Sequence, residues 1–160
     1  MPLKPVEIML AKVWANGLVI VVAAYLSLQF VAKGWLDLPV AGSTTLFVAG
    51  IVVYLFSTTA MGIFLGTLAR TMPQFALLAV PVFIVMNLLS GGITPLENMP
   101  LPVQAVMMIS PSTYFVNYSQ SVLYRSAGLD VVWRDLLACA LIGILYFSSA
   151  LLRFRKALGQ

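Results

Sequence analysis

The sequence predicts an all-α integral membrane protein with four transmembrane helices and an external, broken re-entrant helical hairpin before the last span. Three observations predict it. First, the 160 residues are 61% hydrophobic and 9% charged, with a mean hydropathy of +1.01, whereas a soluble domain carries about 25% charge. Second, uncharged runs of span length are bracketed by charged residues. Third, the stretch from Leu89 to Gly128 has no charge between Glu97 and Arg125, yet is a poor membrane span.

Met1 to Lys12 reads MPLKPVEIMLAK. Pro5 suits a first helical turn and Glu7 suits the positive end of a helix. The segment is either a short interfacial helix leading into a span or an ordinary basic flank. Val13 to Ala32 is the first span: Lys12 and Lys33 bracket 20 uncharged residues, about 30 Å of helix. Asn16 and Gln29 lie near its ends. Lys33 to Ser43 is a loop with Trp35 as an interfacial anchor. Thr45 to Ala69 is the second span, ended by Arg70, and its Gly62-x-x-x-Gly66 step would let another helix pack closely. Arg70 to Gln74 is a tight turn. Phe75 to Leu89 is the third run, extending towards Gly91, and Pro81 predicts a kink in it. After the hairpin, Leu129 to Asp135 returns to the interface with Trp133 as an anchor. Leu136 to Leu152 is the last span, stopped by Arg153, Arg155 and Lys156.

The hairpin argument rests on backbone chemistry. Gly91-Gly92 opens the stretch, and Pro95, Pro100, Pro102 and Pro111 lack backbone donors and restrict the residue before each. Eight polar side chains, Asn98 and Gln104 among them, would need partners in lipid. Pro102 to Ile109 is apolar but makes only about 12 Å of helix, too short for a hydrocarbon core of roughly 30 Å. Residues 93–132 are therefore expected to dip into the membrane from outside and return.

Four spans put both termini on one side, with Lys4, Lys12, Arg70, Arg153, Arg155 and Lys156. The other side holds Lys33, Arg125 and Arg134. Six against three places both ends in the cytoplasm, whereas a fifth span over residues 98–124 would split the charges five against four.

Paired carboxylates, metal-ligand clusters, a nucleophile with a base and phosphate loops are all missing from the sequence. It contains no histidine, and its five acids are dispersed in loops or at interfaces. Catalytic, cofactor-binding and metal residues are therefore expected to be none, and an enzyme has no support. Cys139, the only cysteine, is read as packing. No ionisable group sits inside a span, which argues against a proton relay or ion-coupled carrier. The net charge of +4 is dispersed, which makes nucleic acid an unsuitable partner.

The hairpin sequence resembles the carboxy-terminal signature of the type-2 ATP-binding-cassette (ABC) permeases, of the bacterial drug-export kind. The matching elements are Ser90-Gly91-Gly92, Pro95-x-Glu97-Asn98-Met99-Pro100, Ser110-Pro111 with Tyr114, and Gly128 before the last span. The start PLKPVEIMLAK is similar to the family's cytoplasmic coupling segment, and GTLART and RFRK fit as well. The resemblance covers nearly the whole chain in order. It implies a multi-pass permease subunit in the bacterial inner membrane, exporting a lipophilic drug, lipid or glycan-type substrate. ATP would be hydrolysed by a separate cytoplasmic ABC ATPase, with a second permease copy or homologue completing the transporter. Residues 1–12, through Leu3, Lys4, Pro5, Glu7 and Lys12, would contact that ATPase. Gly91, Gly92, Pro95, Glu97, Asn98, Pro100, Pro111 and Tyr114 would form the external gate. The family has six spans and this chain begins where the third begins, so its first two spans are expected to be absent. A fragment, a truncated gene and a start at an internal methionine would each account for that. The alternative function is a non-transporting four-helix membrane protein, an accessory or scaffold subunit of a larger complex.

Overall fold

The computed structural model of the chain describes residues 5–27, 29–30, 43–92 and 96–158, and all regular structure among them is helical. The first helix, α1, runs unbroken from Pro5 to Ser27. The segment expected to be interfacial and the first span thus share one helix. α2 covers Thr44–Leu68 behind Ser43, whose hydroxyl sits 3.5 Å from the Leu46 N–H. Its threonines do not break it: Thr58, Thr59 and Thr67 donate their hydroxyls to the carbonyls of Tyr54, Leu55 and Phe64. Each polar group is therefore satisfied inside its own helix, as an apolar surrounding requires.

α3 (Met72–Leu88) follows after only three non-helical residues. The Thr71 hydroxyl accepts from the Gln74 N–H, and Gln74 Oε1 accepts from the Arg70 N–H at 2.9 Å. That exchange starts the helix at once, with Pro73 in a first turn that has no need of its N–H. The expected turn over Arg70–Gln74 is therefore shorter than its sequence suggested. Pro81 lies inside α3 without ending it. A single 3-10 turn, Leu96–Asn98, precedes α4 (Leu101–Met107) and α5 (Pro111–Arg125). Ser126 then adopts the left-handed conformation, with φ of 51°, and reverses the chain. α6 runs from Leu129 to Leu158. The last helix thus starts inside the range 93–132 expected for the hairpin, and Leu129–Asp135 forms its opening turns.

α2 is the centre of the packing and touches α1, α3, α5 and α6. One core joins Met61 and Leu65 of α2 to Ala79 and Met86 of α3. A second joins Tyr118 and Val122 of α5 to Val132 of α6, with Leu46 and Phe47 of α2 against it. α2 and α6 run in the same direction. Leu46 and Leu136 pack on the same Tyr118–Val122–Val132 cluster, Ser57 lies against Cys139 and Gly143, and the rings of Phe64 and Tyr146 are 5.6 Å apart.

The exterior is apolar. Leu18, Val19, Leu77, Ile84, Leu141 and Leu145 are all exposed, while Ser57, Ser110, Ser112 and Thr113 are buried. Water would penalise such a surface heavily, whereas lipid would not. α2 and α6 are long and apolar enough to cross a bilayer and are mostly unburied, unlike core helices of a soluble domain. The 17-residue α3 and the described apolar part of α1, Gly17–Ser27, are shorter.

Candidate functional site

The structure's most constrained polar region is where α5 enters between α2 and α6. It begins at the end of α3. Gly91 has φ of 94°, a conformation that side chains resist, and the Ser90 hydroxyl donates to the Asn87 carbonyl at 2.9 Å. Gly92 faces Val116 of α5: a β-carbon there would lie 3.8 Å from its side chain. Glu97, Asn98 and Pro100 are exposed, and Met99 between them is buried. Gln104 Nε2 donates to the Met99 carbonyl at 2.8 Å and ties the 3-10 turn to α4.

Helix is interrupted at Met108–Ser110, because Pro111 cannot donate and constrains the residue before it. The break strands carbonyls, and two tyrosines answer them. Tyr114 Oη donates to the Met108 carbonyl at 3.1 Å, and Tyr146 Oη of α6 to the Ile109 carbonyl at 3.4 Å. Pro111, at the first position of α5, is buried.

α5 then runs antiparallel to both neighbours. Ser112 Oγ is 3.1 Å from Tyr54 Oη, and Phe115 stacks on the Tyr54 ring with centroids 4.3 Å apart. One turn further on, the Tyr118 ring lies on Gly50, where any β-carbon would collide with it, and its hydroxyl donates to the Leu46 carbonyl. Beneath the break, the Ser57 hydroxyl donates to the Cys139 carbonyl at 2.8 Å, with the Val53 carbonyl at 2.9 Å as a second acceptor. Cys139 Sγ lies 3.7 Å from Ser57 Oγ and 3.8 Å from the Pro111 carbonyl. The Ser110 and Thr113 hydroxyls are buried with no partner among the described residues.

These contacts set the depth of the break. Ser57 is about 20 Å along α2 from its start and about 16 Å from its end. The tip of the α4–α5 pair therefore reaches the middle of α2 and α6 and turns back there.

The structure thus brings Gly91, Gly92, Pro111 and Tyr114 to one assembly, and leaves Glu97, Asn98 and Pro100 on its exposed rim. Leu3, Lys4 and Pro95 lie outside the described residues, and of Pro5, Glu7 and Lys12 only the helical backbone is described. Gly62 and Gly66 have no close helix neighbour among the described residues. A β-carbon at Gly62 would meet nothing within 4 Å, and one at Gly66 would meet only the Phe75 ring at 3.9 Å. Reasoning from the sequence missed Tyr54, Ser57, Tyr118, Gly143 and Tyr146. Nothing in the sequence marks them, because each acts through a partner at least 37 positions away. Among the described residues, no three His, Cys, Asp or Glu side chains gather as metal ligands.

Comparison with known proteins gives a consistent result. The family profile described as ABC-2 type transporter matches residues 1–124. The chain is 49% identical over 159 residues to the inner membrane transport permease YhhJ of Escherichia coli strain K12, covering 99% of this chain and 42% of that protein. It is 34% identical over 121 residues to the probable multidrug ABC transporter permease YbhR of the same strain, covering 75% of this chain and 33% of YbhR. A third relative from that strain, the probable multidrug ABC transporter permease YbhS, is 33% identical over 98 residues. The chain spans less than half the length of each of these relatives. No solved structure matches it.

Proposed function

The chain belongs to the ABC-2 type transporter family, and from that premise we propose that it forms the carboxy-terminal membrane portion of a permease subunit in an ATP-driven exporter. The membrane is a bacterial inner membrane, and the substrate is a lipophilic drug, lipid or glycan-type molecule. The names of the relatives, an inner membrane transport permease and two probable multidrug permeases, support that reading.

The observation that carries the mechanism is the mid-depth break between α4 and α5. α2 and α6 run in the same direction, so the chain between them crosses the membrane an odd number of times. α3 supplies one crossing, and the α4–α5 pair enters and leaves on the same side. This favours four spans with an external re-entrant hairpin over five, in agreement with the distribution of basic residues. The hairpin acts as the outer gate. Towards its tip α5 is held by hydroxyl bonds and ring stacking, and further along by the Tyr118–Val122–Val132 core, so it moves as one unit against α2 and α6. Energy enters from a cytoplasmic ABC ATPase docked on residues 1–12, at the start of α1. Because α1 is one continuous helix from Pro5 to Ser27, movement at Pro5–Lys12 is carried directly into the membrane. A second permease copy or homologue completes the path.

The test is export of a lipophilic dye from cells or vesicles carrying the chain within a full-length permease, together with its ATPase. Export is expected to require ATP and to fall when a disulfide is engineered between α5 and α2. Undiminished export with nucleotide hydrolysis abolished would reject the assignment.

A further inference from the structure

A groove of about 850 Å³ lies along the cytoplasmic half of α2 in the proposed topology, bounded by α1, α3 and the end of α6. Gly62 and Gly66 form its floor. Phe75 and Phe83 of α3, Phe154 of α6 and Ile20 of α1 form its walls. The hydroxyls of Thr58, Thr59 and Thr67, which also line it, are spent on their own helix backbone. The groove therefore presents an almost wholly apolar surface to an occupant. At one end stands Arg70, exposed and without an ion pair among the described residues.

We propose that this groove binds an anionic phospholipid, with acyl chain on the Gly62–Gly66 floor and headgroup phosphate on the Arg70 guanidinium. Three features select that occupant. The groove follows α2 from Leu55 to Ala69, about 20 Å of helix, enough to cover one leaflet of roughly 15 Å. Among the described residues that line it, the charged group is a cation, Arg70, placed where α2 ends and a headgroup would lie. A guanidinium offers a planar pair of donors to phosphate oxygens. The absence of side chains at Gly62 and Gly66, with nothing packed against Gly62, keeps the floor open.

The site differs from the α4–α5 gate and does not depend on what the permease exports. The test is native mass spectrometry of a full-length permease carrying this chain, released from detergent after addition of phosphatidylglycerol or phosphatidylcholine at equal concentration. The unmodified chain is expected to retain at least fivefold more phosphatidylglycerol. Gly62→Leu fills the floor and should lower retention of both lipids at least fivefold. Gly17→Leu, the same change on α1 outside the groove lining, should leave retention unchanged. Arg70→Gln should equalise the two lipids while still retaining some of each. Equal retention by the unmodified chain overturns the proposal, as does unchanged retention in Gly62→Leu. Complete exclusion of lipid, as by a helix of another chain or a second copy in the groove, also overturns it. If Gly62→Leu loses its helical circular dichroism, Arg70→Gln decides: a preserved preference for phosphatidylglycerol rejects the site.

Discussion

Gly143 shows what a missing side chain does at this interface. A β-carbon there would lie 2.9 Å from the Ser57 backbone, closer than real atoms approach, and the neighbour is a helix that cannot turn aside. The close approach also brings Ser57 within reach of the Cys139 carbonyl. Gly143→Ala is expected to destabilise the folded chain by about 1–3 kcal/mol through overpacking, seen as a lower thermal midpoint in detergent. Gly62→Ala, which meets open space, should leave that midpoint unchanged. Equal behaviour of the two variants would contradict the packing described. Ser57→Ala removes one interhelical hydrogen bond in an apolar setting, and such bonds average only about 0.6 kcal/mol. Its effect should therefore be smaller than that of Gly143→Ala, although Ser57 is fully buried.

At the scale of elements, the α4–α5 break depends on two hydroxyls that reach the Met108 and Ile109 carbonyls from different helices. Removing both leaves acceptors without their tyrosine donors, at a cost of about 1–3 kcal/mol for each one that is buried. In a Cys139→Ala background, a cysteine at Ile109 should react faster with a small thiol reagent when Tyr114→Phe and Tyr146→Phe are combined. No acceleration would show that the tyrosines do not hold the tip. The side on which the elements emerge can be read with the same chemistry. Ser126→Cys should be labelled by an impermeant reagent in intact cells, and Gln160→Cys should not. Equal labelling of both would remove the four-span topology.

For the whole molecule, the proposed port of energy is the segment over residues 1–12. Lys4→Glu with Glu7→Lys reverses its charges without touching the apolar part of the helix. In a full-length permease, co-purification of the ATPase should fall severalfold while membrane insertion stays intact. Full recovery of the ATPase would remove the coupling role of this segment. The whole molecule is also where export is tested, because each matched relative is more than twice as long as this chain.

The sequence by itself determined the environment, the helical class and the place of the break. Hydropathy measures transfer to lipid residue by residue, and proline and glycine act on the backbone where they stand. That is why the ends of α2 and the interruption before Pro111 were legible. Local pattern misjudged the joins. The Thr71–Gln74 exchange starts α3 early, and α6 begins at Leu129 because its first turns pack on α5 through Val132. The tertiary structure alone decided what the glycines are for. Gly50 and Gly143 are contact points for Tyr118 and Ser57, while Gly62 and Gly66 floor an open groove. It also decided which hydroxyls bind across helices and that α2 and α6 run in the same direction. These are pairings between residues tens of positions apart, set by the shape of the facing surface, and a sequence records only one side of each.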